Sequence, residues 1–156
     1  MNNSNSQVNP LLGTWHLRRW QIAYDDQRPA SYPFGPDASG MILYSADGWM
    51  SACIAKAARA RMSSESVRSA PVGERLAAFE SYFQYAGRYW LEEVAGGLQV
   101  VHEVTHTLNP NFLGTRQVRQ VDLSEPGVLI LSASDVVPGS SLARHHQLIW
   151  QRAVAG

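Results

Sequence analysis

Strand-length runs of β-branched, aromatic and aliphatic residues recur along this chain, each closed by a Gly, Pro, Asn or Asp cluster. That rhythm leaves room for little besides a closed or stacked sheet. The first run, Leu12 to Tyr24, places Trp15, Leu17, Arg19 and Gln21 on one face and His16, Arg18, Trp20 and Ile22 on the other. Residues 25–39 hold Pro29, Pro33 and Pro36, which cannot join a ladder, so a loop follows. Met41 to Ser45 and Trp49 to Ala55 flank Ala46-Asp47-Gly48, a hairpin signal. Residues 56–73 read as a loose connection with room for a short helix. From Glu74 to Ala86, Leu76, Phe79 and Phe83 recur at helical spacing, with Gly87 as the left-handed cap. Five more strands are predicted: Arg88 to Val94, Leu98 to Thr107, Thr115 to Leu123, Val128 to Ser134 and His145 to Arg152. The reading is a mainly all-β chain, an eight-stranded antiparallel up-and-down barrel with one helix between the third and fourth strands. Eight strands is the size that holds one small ligand. A β-sandwich is the structural alternative.

The 156 residues suit one domain, expected over 11–156, after an Asn- and Ser-rich lead-in over 1–10 expected to be disordered. Lys+Arg and Asp+Glu both number 13, which removes the charge footprint of a nucleic-acid binder. Lys56 is the only lysine, so nearly all positive charge is Arg, whose planar fork suits carboxylates. Cys53 stands alone, which rules out an intrachain disulfide and a Cys-rich zinc site and fits a reducing, cytoplasmic setting. No segment approaches the ~20 apolar residues of a membrane span, and no membrane partner is expected.

Gly13-Thr14-Trp15 at the start of the first strand resembles the Gly-x-Trp signature of lipocalins. Gly35-Pro36-Asp37, Gly40, Tyr44, Asp47-Gly48 and Ser51-Ala52 extend the likeness. Further along, so do Phe79-Glu80, Tyr82, Tyr85, Ala86-Gly87, Tyr89, His102, Asn109-Pro110-Asn111, Gly114, Gln117-Val118-Arg119 and Trp150. Together they resemble the bacterial and fungal lipocalin-like domain family over about Leu11 to Arg152. The resemblance implies a calycin-type barrel in which Trp15 packs at the closed end under Arg152, both as structural residues. It also implies either ligand carriage or, as for some relatives in secondary-metabolite pathways, cyclase or isomerase activity.

Strand alternation supplies the candidate site. With Trp15 inward, Arg19 and Gln21 are expected inside too, and Gln117 and Arg119 share a face with Val121 and Leu123. A buried guanidinium needs a carboxylate, a ligand anion or ordered water. His102 lies between Val100 and Val104 on one face, where an imidazole serves as a neutral hydrogen-bonding group or a general base. His106 belongs nearer the rim. Tyr44 and Tyr89 are cavity candidates for their flat surface and polar tip, Ser51 and Tyr82 are expected ligand contacts, and Asn109 sits in a loop at the barrel mouth. The expected catalytic set is His102, Arg119 and Tyr89.

His102 and His106 stand ~13 Å apart on a strand, too far to share a metal, and His145 and His146 point to opposite faces. No nucleophile elbow, phosphate loop or dinucleotide fingerprint occurs, so no cofactor is expected. Two functions fit one pocket: binding of a small, largely apolar molecule by its polar or anionic end, or cofactor-independent isomerase, cyclase or dehydratase chemistry. A third is an interaction module whose barrel is filled by its own side chains. The expected partner is a small hydrophobic ligand or substrate, and a homodimer stays open.

Overall fold

A computed structural model describes residues 8–155. Its eight strands are β1 (Gly13–Tyr24), β2 (Ser39–Tyr44), β3 (Trp49–Ala55), β4 (Tyr82–Val94), β5 (Gly97–Thr107), β6 (Arg116–Asp122), β7 (Val128–Val136) and β8 (Ala143–Arg152). They pair antiparallel in chain order, and β1 also pairs β8, which closes an up-and-down barrel rather than a sandwich. One helix, α1 (Val72–Glu80), lies between β3 and β4. Among the described residues no helix is long and apolar enough to cross a membrane.

Because neighbouring strands alternate in direction, the connections after β1, β3, β5 and β7 gather at one end. That end, the mouth, carries α1 and a 3-10 turn at Pro110–Phe112. The opposite end is a floor built on Trp15, 1% exposed, whose indole N–H donates to Leu11 O at 2.9 Å. The Arg152 guanidinium covers the Trp15 ring at 4.1 Å and donates to Leu12 O at 2.7 Å and Pro10 O at 2.9 Å. Asn9 Oδ1 accepts from Leu11 N at 2.9 Å. Asn9 and Pro10, expected in a disordered lead-in, therefore belong to the floor, and the rest of that segment, 1–7, lies outside the described residues.

Three expectations change. The helix runs over Val72–Glu80 instead of Glu74 to Ala86, and β4 begins at Tyr82. The helical spacing of Leu76, Phe79 and Phe83 bridged two elements: Leu76 and Phe79 are half-exposed on α1, whereas Phe83 packs against the core from β4. Gly87 is accordingly no helix cap. It lies in β4 where a Cβ would stand 1.9 Å from Glu103 O, so only glycine fits that approach. The third change is in β1, where Leu17 pairs with Trp150 and Arg19 with Ile149, leaving Arg18 as an extra residue. This bulge reverses which side chains face in. Trp15 and Leu17 face in below it, and Trp20 and Ile22 above it, while Arg18 and Arg19 are both exposed.

Candidate functional site

The barrel is hollow. A cavity of about 430 Å³ runs to the mouth between apolar walls that include Trp20, Ile54, Phe83, Phe112, Leu131 and Leu148. Most of its polar lining falls in two clusters and one lone indole.

The first cluster stands where β4, β5 and β6 adjoin. β6 alternates without interruption, so Gln117, Arg119 and Val121 turn inward while Arg116, Val118 and Gln120 face solvent. Arg119 Nη2 donates to Gln117 Oε1 at 3.3 Å and Nη1 to Val118 O at 2.9 Å, and Gln117 Nε2 donates to Thr115 Oγ1 at 2.9 Å. Among the described residues no carboxylate lies within ion-pair distance of Arg119. Register places His102 opposite Gln117. His102 is 1% exposed, and both ring nitrogens are engaged: Nε2 lies 2.8 Å from Tyr44 Oη and Nδ1 lies 2.6 Å from Tyr85 Oη. Burial, reinforced by the Arg119 charge, pulls the imidazole pKa down to about 3, so the ring is neutral. Burial likewise pushes Tyr85 up to about 12 and Tyr44 well above the ordinary phenol value. Tyr85 borders the cavity, whereas Tyr44 lies behind His102.

The second cluster rims the mouth. Arg144 donates to Asp135 through Nε at 2.6 Å and Nη2 at 3.0 Å, which holds that carboxylate below its usual pKa. His146 Nε2 approaches Asp135 Oδ1 at 3.4 Å, and its Nδ1 accepts from the Trp20 indole at 3.3 Å. With Nδ1 accepting, the proton sits on Nε2, and burial keeps His146 below its ordinary pKa. The lone indole is that of Trp150: it borders the cavity, and its buried N–H has no acceptor among the described residues.

Strand alternation brings His102, Gln117 and Arg119 together at the cavity, with Tyr44 held behind His102. Other expected residues lie elsewhere. Arg19 and Gln21 face outward because of the bulge at Arg18, and Gln21 donates to Gln147 at 2.9 Å on the outer wall. Ser51 is exposed on the outside of β3. Tyr82, also outside, stacks under Arg59 at 4.9 Å. Asn109 caps the Pro110–Phe112 turn by accepting from Asn111 N at 3.1 Å. Tyr89 is buried beneath the cavity, where its hydroxyl donates to Ser45 O at 2.7 Å and accepts from Asn9 at 2.7 Å. It ties the floor together and does not border the cavity. The outer wall also lines up Ser134 Oγ, His145 and Asp25, each contact 2.7 Å.

Sequence reasoning missed Tyr85, hidden in the misassigned helix, and the Asp135–Arg144–His146 rim. Alternation from Trp150 back through Leu148 to His146 and Arg144 was the available signal for the rim. Among the described residues no three His, Cys, Asp or Glu side chains form a group able to hold a metal ion. None of the curated proteins compared with the chain matches it in sequence. A family model described as a lipocalin-like domain matches residues 12–153, and with a closed eight-stranded barrel capped by Arg152 over Trp15, the chain belongs to that lipocalin-like family.

Proposed function

We propose that the barrel binds a small, largely apolar organic molecule inside its cavity, with the molecule's polar or anionic end against Arg119 and Gln117. The observation that carries this reading is the Arg119 guanidinium, turned into an apolar-walled cavity without a carboxylate partner among the described residues. A half-buried guanidinium facing apolar walls without an anionic partner gains from an acceptor or anion supplied by a ligand. The unpartnered Trp150 N–H adds a second donor in need of an acceptor. The volume lies in the range of sites for drug-sized molecules. The lone Cys53 supports action in a reducing, cytoplasmic setting.

Decanoate and decanol serve as probes, because Trp20 and Trp150 both line the cavity and report occupancy by fluorescence. Arg119→Ala weakens decanoate about ten-fold or more and leaves decanol nearly unchanged. Equal affinity of both proteins for decanoate rejects the assignment.

A second reading is cofactor-independent acid–base chemistry of the isomerase, cyclase or dehydratase type. It is supported by Tyr85 and His146, two oriented proton-carrying groups on the wall of one cavity. Both His102 ring nitrogens are already engaged by phenols, so in this reading it acts through Tyr85 rather than on the substrate. Exchange of the α-protons of 2-tetralone in D₂O tests it: exchange accelerated by the protein and lost in Tyr85→Phe supports it, and no acceleration by the unaltered protein rejects it.

A further inference from the structure

Tyr44, His102 and Tyr85 form a chain of three groups with two contacts, Tyr44 Oη to Nε2 and Tyr85 Oη to Nδ1. A neutral imidazole carries one proton, and each phenol carries one. Three protons and two hydrogen bonds leave one proton over, on one of the two hydroxyls. The two ends are not equivalent. Tyr44 is 2% exposed, does not border the cavity, and among the described residues finds only His102 as a hydrogen-bond partner for its hydroxyl. A proton left there is a buried donor without an acceptor, which is costly. Tyr85 borders the cavity, where a ligand or water can accept.

We infer that the chain runs in one direction: Tyr44 O–H donates to His102 Nε2, His102 Nδ1–H donates to Tyr85 Oη, and the Tyr85 proton is offered to the cavity, so that the site selects ligands whose facing atom is an acceptor. The inference rests on the reading of the cavity as a ligand site. A ligand that donates to Tyr85 competes with the His102 Nδ1–H for the phenol oxygen, and displacing it reverses the chain and strands the Tyr44 proton. The expected preference for an acceptor over a matched donor is roughly ten-fold or more. Tyr44, which does not border the cavity, is then a positioning residue, and His102 sets the direction through its two engaged ring nitrogens. Arg119 and the Trp150 indole, both pure donors, line the same cavity and work in the same sense.

Two measurements test it. The first is the ¹⁵N spectrum of the His102 ring in the full chain without ligand, where Nδ1 is expected to carry the proton; a protonated Nε2 overturns the inference. The second compares 2-acetylnaphthalene, whose carbonyl only accepts, with 2-naphthylamine, whose amino group mainly donates. In Tyr44→Phe, Nε2 lacks a partner in either tautomer, so the direction is no longer fixed. The affinity ratio of the two probes is expected to fall about ten-fold, while thermal unfolding shows that the variant is folded. If His102 is protonated on Nδ1 yet the ratio survives in Tyr44→Phe, the selection by proton direction is overturned. If neither probe binds the unaltered protein, the ligand reading itself fails, and the ring spectrum still decides the proton order. If Tyr44→Phe does not fold, the spectrum of the unaltered protein and its own preference for ketone over amine decide the matter.

Discussion

Arg119 and His102 are legible from sequence for the same reason: the strands that carry them keep regular alternation around them, so a polar residue among valines and leucines has to face inward. What alternation does not convey is reach. His102 lines the cavity, but both of its ring nitrogens are taken up by Tyr44 and Tyr85, so its polar atoms are already engaged. The lowered His102 pKa carries a stability consequence. Between the unfolded value near 6.5 and the folded value of about 3, the unfolded chain binds the extra proton. Stability therefore falls as pH drops through that window and is fully present above it. His146, also shifted down by burial, adds in the same direction. His102→Gln is expected to flatten the dependence of Tm on pH between 5 and 6.5, above the range where the carboxylates titrate; an unchanged slope contradicts the neutral buried ring. Arg119→Met, which removes an unpaired charge, is expected to raise the Tm of the empty protein, as seen in a thermal melt without ligand.

At the level of elements, the hairpin residues did most to make the strand order readable. Asp47-Gly48 and Gly127 sit in turns with positive φ at the glycines, where the chain was expected to reverse. The α1–β4 junction misled because helical spacing continued by coincidence into a strand, and α1 itself buries no residue. A period of 3.6 signals a helix only when the marked face has something to pack against. Gly87 shows what the strand assignment demands. A bulge in β5 at Thr105 brings the Glu103–Thr105 backbone across it. Gly87→Val is expected to cost about 3 kcal/mol or more through overpacking, lowering Tm by on the order of 10 °C for a chain of this size. A variant that melts with the unaltered protein refutes the close approach.

For the whole molecule, floor and mouth divide the labour. The floor is sealed by Trp15, Arg152 and the Asn9–Tyr89 contact, and the polar rim and α1 stand at the other end. Arg152→Ala removes two charge-assisted hydrogen bonds and the ring contact, with an expected cost of about 1–3 kcal/mol. Probe affinity is expected to change little, which a melt and a decanoate titration together check. Closure of the barrel followed from eight strands with two demanding faces, but the lining of its first strand did not. Nothing in the residue types Leu17-Arg18-Arg19-Trp20 announces that one of them is surplus. That surplus residue acts as a spatial reading frame. Were Arg18 instead drawn into the ladder, every later side chain of β1 would shift by one step, sending Trp20 and Ile22 out into water and driving Arg19 and Gln21 into the chamber. The looping-out of one residue therefore decides whether the wall on that side is greasy or charged.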